Sequence, residues 1–214
     1  MNADDVADFL KANPQFFDAH PGLLEAIYVP HPYGGRAIPL SERQILTLRD
    51  KARVLEAKLG ELIQFGEEND AISEKVHRLA VALLGANNFG AIADTLYYHL
   101  REDFRVPHVA LRVWGSSLLD GTLEGSPLSE AQRAQVETLG GPQCGAAEGS
   151  LFLPTFRDAA EHVRSIALVP LGATASFGLL ALGSEDAKRF FAEMGTLYLR
   201  RIGELAAAAL AAHL

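Results

Sequence analysis

Residues 166–184 read Ile166-Ala167-Leu168-Val169-Pro170-Leu171-Gly172-Ala173-Thr174-Ala175-Ser176-Phe177-Gly178-Leu179-Leu180-Ala181-Leu182-Gly183-Ser184. The stretch carries no charge and is close to the length of a bilayer span. Pro170, Gly172, Thr174, Ser176 and Gly178 break it, and the apolar runs on either side, Ile166–Val169 and Leu179–Leu182, are each of strand length. Two buried strands joined by a turn of small residues account for it, and a membrane helix does not.

Working outward from that hairpin, Val106–Trp114 reads as a strand in which Val109, Leu111 and Val113 alternate with Ala110, Arg112 and Trp114. A helix is expected around Ala91–Arg101. Ser129 and Gln132 form a capping box, and Gly140-Gly141-Pro142 is a stop, so Ser129–Leu139 is expected to be helical. Gly140–Ser150 reads as a loop holding Cys144, and Leu151–Leu153 as a short strand before Pro154. Asp186–Leu214 reads as one long helix with Phe191, Met194, Tyr198, Ile202, Leu205, Ala209 and Ala212 on one face. Its alanine-rich end would suit close packing against another helix. Strands flanked by helices, with an antiparallel hairpin at the centre, make the class α+β.

Towards the N-terminus the character changes. Ser41 and Gln44 form a capping box with Leu40 and Ile45 at the staple positions, and a helix is expected over 41–84. Apolar residues recur there in heptads: Leu48, Leu55, Leu62, Asn69, Val76, Leu83 in one series and Ile45, Ala52, Leu59, Gly66, Ser73, Ala80 in the other. At about 1.5 Å per residue such a helix would run roughly 66 Å, more than a domain of this size buries along one side. A partner copy seated on Ile45, Leu48, Leu55, Leu59 and Leu62 would cover it, and the pair would be a coiled-coil homodimer, parallel or antiparallel. Two amphipathic helices broken near Gly66 are the other reading. The eight acids and seven bases of the segment suit a solvated outer face in both.

Residues 1–40 carry three helix-start signals: Asn2 before Val6, Phe9 and Leu10; Asn13-Pro14 before Phe16 and Phe17; and His20-Pro21 before Leu23, Leu24 and Ile27. Three short helices follow from them, each too short to stand alone in water. The prolines and glycines of Val29–Gly35 then impose an extended connection.

The chain has 214 residues with 49% hydrophobic and 21% charged, which is enough for a core, and a net charge of −8 that disfavours nonspecific binding to nucleic acid. The single cysteine, Cys144, rules out an internal disulfide. Seven histidines lie scattered without ligand spacing, so no metal is expected. Neither a phosphate-binding glycine loop nor a G-x-S-x-G elbow occurs, which argues against an enzyme. The acidic Met1–Asp5 lacks the layout of a signal peptide, so the chain is expected in the cytoplasm, with no membrane partner.

Arg164–Leu171 with its "VPL", then Phe177–Asp186 with its G-x-L-x-L, then Phe190, resembles the central hairpin of GAF domains. Val6, Phe9-Leu10, Asn13-Pro14, Phe16-Phe17, His20-Pro21, Leu23-Leu24, Pro30-His31, Gly35, Leu40–Gln44 and Leu48-Arg49 add a resemblance to an uncharacterised bacterial family. In that family a short helical head and a coiled segment precede a GAF-like domain. The likeness covers nearly the whole chain and implies three parts: a head over 1–40, a coiled-coil helix over 41–84 and a GAF-like domain over 85–214, with an antiparallel sheet sandwiched by helices. It further implies a dimeric sensory module whose GAF-like cavity, lined by Trp114, Cys144, Phe152, Phe156 and His162, takes a small organic ligand of unknown identity. If the module signals, a partner protein carries the response. An empty cavity with protein docking through Phe9, Phe16, Phe17, Leu23 and Leu24 is the alternative. The Asn-Lys-x-x-Phe-Asp-Glu motif of cyclic-nucleotide GAF domains is absent. So is the second thiol that a free methionine sulfoxide reductase would need.

Overall fold

The computed structural model describes residues 2–29, 38–172 and 175–214; the side chains of Glu25 and of 38–41 fall outside that description. The expected extended connection over 29–35 lies almost wholly outside the described residues. So do the side chains of the Leu40 and Ser41 signals. The chain divides into two compact units, Met1–Glu67 and Glu68–Leu214.

In the N-terminal unit the three expected short helices are α1 (Ala3–Ala12), α2 (Phe16–Ala19) and α3 (Gly22–Ala26). Asn2 caps α1 in a full capping box: its side chain accepts from Asp5 N at 2.8 Å while Asp5 Oδ2 accepts from Asn2 N at 2.7 Å. Asn13, expected to open the second helix, instead closes the first. Its backbone N–H donates to Phe9 O at 3.0 Å and its Nδ2 to the same carbonyl at 2.9 Å, because the residue before a proline is disfavoured in helical conformation. Phe16 stacks edge-on with Phe9 and Phe17, at centroid distances of 5.8 and 5.5 Å. A two-residue ribbon follows, β1 (Tyr28–Val29) pairing antiparallel with β2 (Ile38–Pro39).

Helix α4 (Leu40–Gly85) is continuous through Gly60 and Gly66, which excludes the break considered near Gly66. Its residues up to Glu67 belong to the N-terminal unit and the rest to the C-terminal unit. Within the latter Val76, Leu79 and Leu83 are buried. Burial there pairs the Val76 and Leu83 series with Leu79, and Ile72 is half-buried. The expected companions Ser73 and Ala80 are displaced by one position. A straight helix of 3.6 residues per turn drifts against a strict heptad, and here the drift is taken up by the domain core.

The C-terminal unit holds a four-stranded antiparallel sheet in the order β3-β6-β5-β4: β3 (His108–Val113), β4 (Gln143–Ala146), β5 (Ser165–Leu171) and β6 (Gly178–Ser184). The hairpin expected from 166–184 is β5–β6, with Leu168 opposite Ala181. One sheet face packs on the C-terminal part of α4, on α5 (Phe89–Glu102) and on α7 (Leu197–Ala211). The other face packs on α6 (Glu130–Thr138) and the 3-10 segment Leu153–Ala159. Both bonds of the Ser129–Gln132 box are made, at 2.8 and 3.2 Å. The observed class is therefore helices with an antiparallel sheet, as the sequence implied. Gly203 lets α7 press onto β5: a Cβ there would stand 2.5 Å from Val169 Cγ1.

Three local expectations are corrected. Cys144 lies in strand β4, opposite Ala167, rather than in a loop; the strand's small residues give no alternation, and pairing to β5 sets its conformation. Leu151–Leu153 is no strand, because Ser150 Oγ accepts from Phe152 N at 3.2 Å and Pro154 starts a 3-10 turn. The last helix begins at Leu197, not Asp186. Asp186 Oδ1 accepts from Lys188 N at 2.8 Å, and Ser165 Oγ donates to Asp186 O at 2.6 Å, so side chains hold 186–190 in turns. The buried row of α7, Leu199, Ile202, Ala206 and Leu210, shares only Ile202 with the expected face: Tyr198, Leu205 and Ala209 are half-buried beside it, and Phe191 and Ala212 are exposed. The helix packs against the sheet and α5.

Candidate functional site

A cavity of about 340 Å³ opens beside β3 in the C-terminal unit, on the sheet face turned to the 3-10 segment. Strand alternation sends Val109, Leu111 and Val113 to the helix side and leaves Ala110 and Arg112 on the opposite one. A charged residue at such a position normally reaches solvent. Arg112 does not: it is 5% exposed, with Nη1 donating to Leu111 O at 2.7 Å and Nη2 to Thr155 O at 3.0 Å. Burial pushes its guanidinium below the ordinary range, and the like charge of Arg157 adds to this against the opposing effects of Tyr97 and Glu124.

Thr155 and Arg157 come from the 3-10 segment. Thr155 is 7% exposed, and its Oγ1 has no hydrogen-bond partner. Arg157 sits at φ 53°, ψ −125°, a strained conformation for a residue with a side chain. Phe156, between them, lays its ring over β6, where a Cβ on Gly183 would stand 3.1 Å from it. Helix α5 contributes Tyr97 and Arg101, whose guanidinium lies 5.3 Å above the Tyr97 ring. The Tyr97 hydroxyl donates to Glu124 Oε1 at 2.9 Å. Burial first, and that carboxylate second, push its pKa up to about 12. His108 Nε2 lies 3.5 Å from Glu185 Oε1 and makes no hydrogen bond.

A larger cavity, about 690 Å³, runs between α7 and the β5 edge. Its charged residues Glu137, Arg200 and Glu204 are all exposed and its wall adjoins residues outside the description. The smaller cavity is the better site, because it alone of the two has buried polar side chains. Among the described residues no group of three His, Cys, Asp or Glu could hold a metal ion, and no helix is long and apolar enough to cross a membrane.

The five residues that the resemblance assigned to one cavity are not gathered in one. Phe156 lines the β3 cavity. Phe152 is fully buried core on the same sheet face, and Trp114 packs at its margin with the Arg133 guanidinium 5.8 Å from its ring. Cys144 lies on the opposite face, where burial raises its thiol pKa, which is the reverse of what a reactive cysteine needs. His162 is exposed in a turn. Sequence reasoning missed Arg112, Thr155 and Arg157; the available signal was an arginine inside an otherwise apolar strand. In the N-terminal unit Ile45, Leu48, Leu55, Leu59 and Leu62 are all exposed, by 51–67%.

Residues 1–213 match the profile of a family described as "Protein of unknown function, DUF484", and the chain belongs to that family. It is similar to "Uncharacterized protein YigA" of Shigella flexneri and of Escherichia coli (strain K12). Each is 27% identical over 210 residues, which cover 92% of this chain and 86% of the relative. Among solved structures it is similar to the GAF domain of A. Aeolicus nlh2 in an inactive state. The TM-score is 0.47 and the identity 12%, over 67% of this chain and 98% of that one. It is also similar to the GAF domain of a protein described as a sensor histidine kinase from Pseudomonas syringae pv. tomato. There the TM-score is 0.46 and the identity 18%, over 70% and 92% of the two chains.

Proposed function

We propose that this DUF484 chain is a non-enzymatic regulatory module of the cytoplasm. Its GAF-like unit binds a small molecule in the β3 cavity, and two copies pair through the heptad face of α4. The observation that carries the ligand-binding part is the pair of buried polar groups at the cavity wall, Arg112 and the unpartnered Thr155 hydroxyl. A buried polar atom without a partner costs stability, and a turn of the Thr155 side chain into the cavity would let a ligand satisfy its hydroxyl. The pairing rests on the exposed row Ile45, Leu48, Leu55, Leu59 and Leu62, whose 3.5-residue repeat is the one a second helix of the same sequence matches. Binding would then alter what the helices present to a partner protein that carries the response.

The test is native mass spectrometry of the full chain purified without added ligand, beside an Ala159→Trp variant that fills the cavity. A noncovalent adduct on the wild type that the variant lacks is the expected result. Bare polypeptide in both would favour a second reading, a protein-docking scaffold. That reading is supported by the exposure of Phe9 and Leu23 on the helical head, beside the half-buried Phe16, Phe17 and Leu24.

A further inference from the structure

We propose that the β3 cavity takes a small organic carboxylate, its anionic end held by Arg112 and Arg157 beside the Thr155 hydroxyl and its apolar body against Leu123 and Phe156. This rests on the ligand-binding reading above and adds the charge and shape of the ligand.

The charge follows from the lining. Arg101, Arg112 and Arg157 face the cavity together with His108, and no carboxylate side chain lines it, in a chain whose net charge is −8. Two carboxylates stand near by. Glu124 receives the Tyr97 hydroxyl, and Glu185, largely exposed, stands beside His108. Neither forms an ion pair with Arg112 or Arg157, and among the described residues nothing else does. Arg112, taken out of water, has the nearby charge of Glu124 set against it but no direct ion pair, and a bound anion would supply one. Arg112 commits two of its five N–H donors to backbone carbonyls, which fixes the plane of its fork and leaves donors for a ligand.

The shape follows from what surrounds the arginines. At about 340 Å³ the cavity is at the small end of the range for ligand pockets, roughly 300–1,000 Å³. Pro107, Ala110, Leu123, Phe156 and Ala159 make most of the remaining wall apolar. A planar two-oxygen group matches a guanidinium fork and one hydroxyl, with an apolar body filling the rest. A phosphate dianion would bring a third oxygen and more charge into a largely apolar wall.

The experiment is an NMR titration of the isotope-labelled full chain with benzoate, phenylacetate and hexanoate, each against its neutral amide, and with phenyl phosphate. The acids are expected to shift the resonances of Arg112 and Thr155 and to bind at least ten-fold more tightly than the amides. Arg157→Gly keeps the backbone, since glycine adopts positive φ freely. It should weaken the acids at least five-fold and leave the amides unchanged. Amides binding the same residues as tightly as acids would overturn the anion assignment and leave the ligand-binding reading standing. Tighter binding of phenyl phosphate, or acid binding indifferent to Arg157→Gly, would overturn the carboxylate assignment. No shift at the cavity with any probe would overturn both.

Discussion

Within one unbroken helix, Leu55 is 67% exposed and Leu79 is fully buried, although both belong to apolar rows of similar spacing. The two halves of α4 differ in what covers them. Around Leu79 the sheet, α5 and α7 form the core of the C-terminal unit. Around Leu55 no residue among those described does the same, and leucines stand exposed along successive turns. An apolar stripe therefore declares that it will be covered, but not by what: the folded domain covers one half, and by the proposal above a second copy covers the other. The break considered at Gly66 did not occur: a glycine costs a helix only about 0.5–1 kcal/mol, and no proline stands in 41–84 to force a break.

The sharpest way to break this contrast is to remove one leucine from each half. Leu79→Ala should lower the unfolding free energy of the chain by about 2–5 kcal/mol in urea titrations. Leu55→Ala, at concentrations where the chain is monomeric, should change it by less than about 0.5 kcal/mol. Equal losses would mean that Leu55 is covered within its own chain.

Next in size is the loss of association. Leu55→Glu combined with Leu62→Glu should weaken self-association at least 100-fold, about 2.7 kcal/mol, by sedimentation equilibrium. Monomer stability should not change, since both side chains are exposed. An unchanged mass would move the interface elsewhere.

The domain half also carries a titration of its own. Tyr97 holds its proton up to about 12 in the folded chain, against 10.0 for an ordinary tyrosine. The unfolded state therefore binds fewer protons between those values, and stability, complete below pH 10, falls as pH rises through 12. With Tyr97 half-buried, the loss should be on the order of 1–2 kcal/mol. Tyr97→Phe should flatten the slope between pH 10 and 12 in urea titrations. A slope that survives the substitution would assign it to other groups.

The smallest effect belongs to the exposed half. Nothing lies within 4 Å of a Cβ placed on Gly66. Gly66→Ala should therefore raise stability by about 0.5–1 kcal/mol, read as a higher melting temperature by circular dichroism. A fall would show that another backbone approaches there.

The same contrast explains what was legible in the sequence. The β5–β6 hairpin, the box at Ser129 and the long helix each carry a strong local signal, whether an apolar run, a capping pair or a repeat, and each is where it was expected. Strand β4 has no such signal: Gln143, Cys144, Gly145 and Ala146 become a strand only because β5 offers its edge. Likewise Asp186 to Phe190 reads as helix until Ser165, far away in sequence, takes hold of its backbone. The cavity was the least legible part. Its residues come from α5, β3, the 153–159 segment and the positions of Pro107 and Leu123; an arginine within an apolar strand hinted at Arg112, while Thr155 is marked by burial alone. The family resemblance supplied aromatic and sulfur candidates, of which only Phe156 reaches the cavity; the charged ones had to await the fold.

Cover of the exposed half of α4 by a second copy is tested most directly by the mass of the untreated full chain in native mass spectrometry. Twice the chain mass of 23.1 kDa is the expected result. A spectrum of 23.1 kDa monomer at micromolar concentration would contradict it.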